Sequence, residues 1–425
     1  MKKKRLIVIS IDSMVTEDLA VLRSLPNFSE VLADSSIVMR NEATYPTLTH
    51  SIHTAISTGC YPGTHGVTGN EHFVPGEMEP AWFEAFDEVK VPSLSAVAKQ
   101  HGYTVASVLY PLTLNAPFEW VLHRNEHDCP FEEKYNRIRE RSMQDVFDEL
   151  RPYTKDSFNM GPVLSEDQFC TDAIVGLIER HQPEIIYTHI IAIDTIRHQK
   201  GMFGQHILDI YRELDRMLGQ ILDALKKQGL YDKTILNVTA DHGHLDIDRV
   251  VSINRFLRDE GLITVDEAGN LVDWQAYMHS CALSGHMHIK DHDPALYKKV
   301  WDLIDANREA LDIERLFTMD EVRAKYHLDG DFDFVIESNG AATFSTDYNA
   351  PLCVASGGPD YRYAITTHGH EPWKGIQPLF FVRNPYSATR VVLAKGKIVD
   401  QAPTLARMLG FDMPQADGSV REELL

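Results

Sequence analysis

Cysteine is scarce in this sequence, and its placement excludes two common kinds of site. Only five cysteines occur in 425 residues, and they are widely separated: Cys60, Cys129, Cys170, Cys281 and Cys353. No two of them form a Cys-x-x-Cys pair, which argues against a thiolate zinc site, and an odd, scattered set argues against a disulfide framework. The pattern predicts a reduced protein of the cytoplasm.

Positive charge and long apolar runs are also in short supply. The chain has 41 Lys and Arg against 62 Asp and Glu, a formal net charge of −21 at pH 7. Duplex nucleic acid and anionic membranes are bound by clustered cations, so we expect neither as a partner. No apolar run approaches the ~20 residues of a membrane span. A small phosphorylated substrate is compatible with this charge if bound divalent cations reverse the local field.

The N-terminus resembles a signal peptide only superficially. A basic start precedes the apolar run Leu6–Ile11, but this run is short and ends at Asp12 without a small-residue cleavage site. We therefore interpret it as a first β-strand. It is consistent with the prediction of a cytoplasmic protein.

Short apolar runs followed by helical patterns recur along the chain and predict an α/β fold. Runs rich in β-branched residues predict buried parallel strands at 104–109, 184–193 and 234–239. Apolar residues at three- and four-residue intervals predict an amphipathic helix from Ile207 to Lys227. This order of strand, helix and strand predicts a three-layer α/β/α sandwich around a mostly parallel sheet.

The alternation of apolar runs and helical patterns breaks off after residue 250, which predicts an inserted lobe. Residues 251–350 mix short strands, acidic turns and a helix near Ala295–Ala310, and we interpret them as a smaller cap. The sheet pattern then resumes with predicted strands at 361–366 and 379–382 and a closing helix at 402–409. Residues 1–250 and 351–425 are therefore predicted to form the catalytic core.

Three aspartates follow predicted strands. Asp12, Asp194 and Asp241 each come directly after an apolar run. In open α/β sheets, ligands bind beyond the carboxyl ends of the strands, so these side chains are expected at one edge of the sheet. An aspartate at such a position is also a common turn former or helix cap.

Histidines next to these aspartates indicate a metal site. Asp194 and His198 are four residues apart, one helical turn on the same face, and Asp241 is followed directly by His242. His368 follows another predicted strand. Mixed Asp and His ligands without cysteine fit zinc in a hydrolytic site and also admit other borderline divalent metals.

Thr49 is a candidate nucleophile. Pro46 precedes a helical pattern, so Thr49 is predicted near a helix N-terminus, where free N–H groups and the helix dipole favour an anion. A threonine at this position is by default an N-cap. Its hydroxyl becomes a nucleophile when its pKa is lowered, which a metal ion would do.

Together these segments resemble the alkaline phosphatase superfamily, and within it the type I phosphodiesterase/nucleotide pyrophosphatase branch. The resemblance rests on Asp12 after the first strand and on five later motifs. They are Tyr-Pro-Thr-x-Thr at 45–49, Tyr-Pro-x-x-His-Gly-x-x-x-Asn at 61–70, Asp-x-x-Gly-His at 194–198 (with Arg in place of Gly), Asp-His-Gly at 241–243 and His-Gly at 368–369. It covers about residues 5–245 and 355–425, and it is weak across 251–350.

The resemblance implies roles for individual residues. Thr49 would be the nucleophile and Asn70 would bind the phosphate. The chain would hold two divalent metal ions, and zinc is expected because the ligands are Asp and His. One ion would be held by Asp194, His198 and His368. The other would be held by Asp12, Asp241 and His242, with the Thr49 hydroxyl completing the set.

Three positions depart from the family pattern or extend it. Arg197 stands where the family has the glycine before the metal-binding histidine, and it is predicted to contact substrate. His370 is likewise predicted near substrate, and His244 is a candidate for substrate or for a residue supporting a metal ligand. A surface polar role is the alternative for both histidines.

The implied activity is hydrolysis of phosphodiesters or nucleotide pyrophosphates through a phosphothreonine. A phosphomonoesterase or phosphonate hydrolase of the same superfamily is the alternative, because Arg197 or a cap residue such as Lys290 could supply the extra cation that a monoester requires. A metal-dependent phosphomutase and a metal-stabilised binding protein without catalysis remain further alternatives. The sequence does not indicate an oligomeric state.

Overall fold

A computed structural model describes residues 3–124, 126 and 129–425, which include every predicted site residue. The strands are β1 (Arg5–Ile11), β2 (Ser36–Val38), β3 (Asn41–Glu42), β4 (Val105–Val108), β5 (Trp120–Leu122), β6 (Ile185–Ile190), β7 (Thr234–Thr239), β8 (Leu245–Asp246), β9 (Arg249–Ser252), β10 (Ile263–Val265), β11 (Leu271–Trp274), β12 (Ala276–Ser280), β13 (Ser284–Ile289), β14 (Ile313–Thr318), β15 (Phe334–Ser338), β16 (Ala342–Ser345), β17 (Cys353–Ala355), β18 (Thr366–Thr367), β19 (Phe380–Arg383), β20 (Val392–Leu393) and β21 (Gly396–Lys397).

The helices occur between these strands. They are α1 (Leu19–Ser24), α2 (Pro26–Ala33), α3 (Thr49–Thr58), α4 (Pro62–His65), α5 (Leu94–Gln100), α6 (Phe131–Arg141), α7 (Gln144–Thr154), α8 (Ser165–Arg180), α9 (Ala192–Lys200), α10 (Gln205–Lys227), α11 (Ile253–Asp259), α12 (Pro294–Ala306), α13 (Met319–Tyr326) and α14 (Gln401–Leu409). Among the described residues, no helix is both long and apolar enough to cross a membrane.

The predicted α/β fold with a mostly parallel central sheet is confirmed. Eight strands form the main sheet in the order β20-β2-β19-β7-β1-β6-β4-β5. Strand β19 is antiparallel to both β7 and β2, and the other pairings are parallel. Strand β1 lies in the middle, between β7 and β6, so both of its faces are buried and its sequence is almost uniformly apolar.

Helices cover both faces of this sheet. Successive side chains of β1 point to opposite faces, and they join two separate hydrophobic cores. Ile7, Ile9 and Ile11 pack into the core that includes α8 and α10, whereas Leu6 and Val8 pack into the core that includes α5 and α14. The helix predicted from Ile207 is α10, which begins two residues earlier and ends at Lys227 as expected.

The segment 251–350, predicted to be a cap, builds its own sheet and core. Strands β12, β13, β15 and β14 form an antiparallel sheet in that order. Helix α12 contributes Val300 and Ile304 to the hydrophobic cluster that also holds Met287 and Phe334 of this sheet.

Two of the predicted strand boundaries are wrong. The strand expected at 184–193 ends at Ile190, because the Asp167 carboxylate accepts the backbone N–H groups of Ile191 and Ala192, where α9 starts. The strand expected at 361–366 is largely a 3₁₀ turn, and only Thr366–Thr367 form a strand, paired with β8 outside the main sheet.

Candidate active site

Neighbouring strands of the main sheet bring the three aspartates together. Asp12 directly follows β1, Asp241 lies two residues after β7, and Asp194 lies in the first turn of α9, after β6. Because β7, β1 and β6 are adjacent and parallel, their carboxyl ends meet at one edge. His368 reaches the same edge from the end of β18.

The first candidate metal group consists of Asp194, His198 and His368, with His244 beside them. His198 Nδ1 lies 2.6 Å from the Thr366 carbonyl oxygen, and His368 Nδ1 lies 2.8 Å from that of Thr47. A carbonyl can only accept, so each Nδ1 carries the proton and each Nε2 keeps its lone pair for a metal.

Interatomic distances distinguish metal ligands from supporting residues in the first candidate metal group. Two ligands of one tetrahedral zinc ion lie roughly 3.3 Å apart. His198 Nε2 and Asp194 Oδ2 are 3.3 Å apart, as two ligands would be. His244 Nε2 lies only 2.7 Å from Asp194 Oδ1, which is a hydrogen-bond distance. His244 therefore holds the Asp194 carboxylate.

The second candidate metal group consists of Asp12, Asp241 and His242. His242 Nε2 lies 3.3 Å from Asp241 Oδ2 and 3.6 Å from Asp12 Oδ1. Thr49 Oγ1 lies 3.3 Å from the same His242 nitrogen. The hydroxyl is thus at the edge of this group, and a cation bound there would contact all four side chains.

Unpaired polar atoms show that both groups fit a cation. Asp12 Oδ1, Asp241 Oδ2 and His198 Nε2 are buried and have no hydrogen-bond partner among the residues that the structure describes. Leaving such groups unsatisfied costs about 1–3 kcal/mol each, and more for charges. A divalent ion in each group would satisfy them together.

The pKa shifts of the site residues also indicate that a cation would stabilise the site. Burial, with the neighbouring Asp194 and Asp241 carboxylates, raises the pKa of Asp12 well above its usual range. Burial raises the pKa of Asp241 to about 7. Burial also lowers the pKa of His242 and His368 well below 6.5, so both imidazoles are neutral, the form that ligates metals.

Thr49 is the first residue of α3, where a helix presents unpaired N–H groups. Its side chain is half-buried and lines an open cavity of about 360 Å³. Asn70 lines the same cavity, and its Oδ1 accepts the backbone N–H of His50, which fixes the side chain beside Thr49. The Asn70 Nδ2 donates to the Tyr361 hydroxyl at 3.2 Å.

Two predicted substrate contacts are not supported by the structure. Arg197 is fully buried, and its guanidinium donates to both Asp18 oxygens at 2.7 and 2.8 Å and to the Ser13 carbonyl. Its two terminal nitrogens are therefore engaged by Asp18 and Ser13, and Arg197 is not among the residues that line the cavity. His370 is buried as well, with its Nδ1 2.8 Å from the Glu371 carbonyl oxygen and its ring packed against Gly375.

Lys290, the alternative source of a cation, lies on the surface of segment 251–350. Its Nζ is 2.5 Å from Asp273. The cavity instead contains two cations that the sequence reasoning overlooked, Arg124 and Lys134, both paired with Glu166.

Further residues at the site were missed in the sequence. His53 and His189 lie near the second candidate metal group, with nitrogens within 4.8 Å of Asp241 oxygens. His189 occupies a fully buried strand, β6, where a polar side chain requires a partner. A histidine inside a strongly apolar run was the available signal. Trp82 and Tyr361 also line the cavity.

A hydroxyl at a helix N-terminus beside paired Asp and His groups is the arrangement expected of a metal-dependent hydrolase. The particular family follows from a direct match. The family model described as type I phosphodiesterase/nucleotide pyrophosphatase matches residues 6–371. The chain belongs to this family, which confirms the resemblance recognised in its motifs.

Curated relatives are similar over about half of the chain. Venom phosphodiesterase 2 of Crotalus adamanteus is 21% identical over 237 residues, covering 52% of this chain and 24% of that protein. Ectonucleotide pyrophosphatase/phosphodiesterase 1 of Saccharomyces cerevisiae is 23% identical over 223 residues, covering 48% and 28%. The matched regions thus span about a quarter of the length of these relatives.

Solved structures are similar over nearly the whole chain. Murine ectonucleotide pyrophosphatase/phosphodiesterase 5, an inactive threonine-to-alanine variant in complex with AMP, has a TM-score of 0.69 at 14% identity and 98% coverage of both chains. The human protein of the same name has a TM-score of 0.67 at 14% identity, covering 98% of this chain and 97% of that one. These likenesses establish the fold.

Proposed function

We propose that this chain is a two-metal phosphodiesterase/nucleotide pyrophosphatase that uses Thr49 as its nucleophile. The observation that carries the proposal is the position of the Thr49 hydroxyl, 3.3 Å from His242 Nε2 and facing the cavity that both metal groups border. A threonine that served only as a helix cap would not need two Asp and His groups around it.

Each metal group has a defined set of side chains. Asp194, His198 and His368 would hold one ion, and Asp12, Asp241, His242 and Thr49 would hold the other. Asp and His donors favour zinc. When bound, the ions supply charge that lowers the pKa of the Thr49 hydroxyl and of water and that stabilises phosphoryl oxygens.

The side chains then carry out two in-line displacements. Thr49 Oγ gives its proton to water and attacks phosphorus; a threonine O–P bond forms, the bond to the leaving-group oxygen breaks, and that oxygen takes up a proton from water. A water molecule next attacks the phosphothreonine, the threonine O–P bond breaks, and the proton that this water loses returns the Thr49 hydroxyl. Asn70 and Thr49 both line the cavity, and the Asn70 Nδ2 and the Thr49 backbone N–H would stabilise negative charge on the remaining phosphoryl oxygens.

The charge of the cavity supports a diester as the substrate. A monoester carries one more negative charge than a diester and calls for an unpaired cation. Arg124 and Lys134 line the cavity, but Glu166 lies 3.0 Å from Arg124 Nε and 2.7 Å from Lys134 Nζ. Glu126 lines the cavity as well and acts on Arg124, so two carboxylates balance the two cations. Since no net positive charge is left over for a monoester, we infer that a diester is preferred.

Two observations support a nucleotide among the diesters. Trp82 and Tyr361 border the cavity with ring centroids 6.1 Å apart, and such aromatic surfaces suit a base. The murine structural neighbour was solved with AMP bound.

The nucleophile is tested with Thr49→Ala. We expect turnover of bis-p-nitrophenyl phosphate to fall at least about 1,000-fold, as when other enzymes lose their nucleophile, while zinc content stays near that of the parent. Ser57→Ala removes another hydroxyl from α3 and serves as the matched control with unchanged turnover. Retention of more than a tenth of the activity in Thr49→Ala would exclude Thr49 as nucleophile.

The substrate class is tested with a matched panel. The rate with bis-p-nitrophenyl phosphate and with the p-nitrophenyl ester of thymidine 5′-monophosphate is compared with that of p-nitrophenyl phosphate, with the zinc content measured in parallel. A higher kcat/KM for the monoester would identify a phosphomonoesterase instead.

A further inference from the structure

We propose that His189 and Arg124 form a positioning pair that orients Asp12 toward the second metal group. The inference rests on the metal centre proposed above and assigns roles to two buried residues outside its ligand set. His189 lies in β6, and Arg124 lies two residues after β5, so both come from strand ends at the same edge of the sheet.

Arg124 is held by three hydrogen bonds. Its Nη1 lies 2.9 Å from His189 Nδ1, its Nη2 donates to the His189 carbonyl at 3.1 Å, and its Nε donates to Glu166 at 3.0 Å. Burial lowers the pKa of Arg124, but Glu166, Glu126 and Asp167 together raise it further, so the guanidinium is charged. The guanidinium is therefore held by Glu166 on one side and by His189 on the other.

The chemistry of Arg124 fixes the tautomer of His189. A guanidinium has only donors, so His189 Nδ1 must accept the hydrogen bond. In the neutral imidazole the other nitrogen then carries the proton. His189 Nε2 lies 3.1 Å from Asp12 Oδ2 and must therefore donate to it.

This hydrogen bond gives the two oxygens of the Asp12 carboxylate different roles. Oδ2 is held by His189, whereas Oδ1 has no partner in the described part of the chain and points toward His242, whose Nε2 is 3.6 Å away. A carboxylate held in this way presents one oxygen to a cation without having to rotate on binding. Orientation of this kind typically changes metal affinity 10- to 100-fold.

The same bonds argue against a third metal at this place. His53, His189 and Asp241 are close enough to form a ligand group. However, both nitrogens of His189 are committed, and His53 Nδ1 donates to the Thr49 carbonyl at 2.7 Å while its Nε2 lies 2.8 Å from Ser10 Oγ. With these lone pairs engaged, His53 and His189 support the site and do not ligate.

The proposal is tested by zinc binding, which is independent of turnover. When the metal-free protein is titrated against a chromophoric zinc chelator, the two zinc ions bind in two steps. His368→Ala lacks a ligand of the first metal group, so the binding step that it retains belongs to the second metal group. We expect His189→Ala to weaken that step roughly 10- to 100-fold and to leave the other within about threefold.

Conservative variants separate positioning from folding. The amide of His189→Gln accepts from Arg124 and donates to Asp12, so its zinc affinity should return to within about threefold of the parent. In Arg124→Met no donor requires His189 Nδ1 to accept a hydrogen bond, so the tautomer of His189 is no longer fixed. The zinc affinity of the second metal group should then fall about tenfold. His286→Ala removes a buried imidazole from segment 251–350 and is the matched control with unchanged zinc affinity.

A double variant decides whether Arg124 acts through His189. If it does, Arg124→Met combined with His189→Ala binds zinc no more weakly than His189→Ala alone, because the two losses are not additive. The proposal would be overturned if the losses of zinc affinity in the two single variants multiplied in the double variant. It would also be overturned if His189→Ala bound zinc at the second metal group as tightly as the parent. Because Thr49→Ala tests the reaction separately, either result can be interpreted whether or not Thr49 proves to be the nucleophile.

Discussion

Replacing Arg197 should destabilise the protein without impairing catalysis. The fully buried guanidinium donates to both Asp18 oxygens, and its loss strands a carboxylate that is itself only 2% exposed. Removing one partner of a buried ion pair typically costs 3–5 kcal/mol. Asp18 also accepts the Tyr211 hydroxyl at 2.7 Å and the Val15 N–H at 2.9 Å, which remain. We therefore expect about 3 kcal/mol for Arg197→Met, at the lower end of the range.

This cost corresponds to a change on the order of 100-fold in the unfolding equilibrium constant. Urea unfolding of the metal-free protein measures it without a contribution from bound zinc. Asp18→Asn combined with Arg197→Met removes the stranded charge and should recover at least half of the loss. The kcat for bis-p-nitrophenyl phosphate should stay within about threefold below the unfolding transition. A stable Arg197→Met variant with a greatly raised KM would refute this reasoning and restore Arg197 as a substrate contact.

Three further outcomes are expected. His244→Ala releases the Asp194 carboxylate and should weaken zinc binding at the first group roughly 10- to 100-fold, with little change at the second. Asn70→Asp replaces a donor by a negative charge and should lower kcat/KM about 100-fold without loss of zinc. Burial lowers the pKa of His286 from 6.5 to about 3, so the unfolded chain binds more protons and stability falls as pH drops below 6.5. His286→Leu should shift the midpoint of acid unfolding to lower pH; an unchanged midpoint would contradict the assignment.

The sequence was most informative where a physical pattern is repeated locally. Buried parallel strands are apolar on both faces, so β1 and β7 could be placed within one residue of their observed bounds. The topology of such sheets then required Asp12 and Asp241 to meet at one edge. Thr49 was placed at a helix N-terminus because Pro46 disfavours helix before it.

Partners distant in the chain could not be predicted in the same way. The ion pair of Arg197 joins residues 179 positions apart, and no local pattern distinguishes it from a substrate contact. The strand expected at 361–366 was wrong because Asp360 caps a 3₁₀ turn there. His189 was hidden in an apolar run, where only its contacts with Arg124 and Asp12 show what it does.

The rings of His242 and His368 are stacked with centroids 3.7 Å apart, although 125 residues separate them in the sequence. Segment 251–350 lies between the two histidines in the sequence and is bound directly to the place where they meet. The Leu283 N–H donates to the His368 carbonyl at 3.2 Å, and Glu337 accepts the Glu371 N–H at 3.0 Å. A substitution that shifts β15 or the turn before β13 would therefore also shift a metal-binding histidine, so this lobe and the reaction centre have to change together.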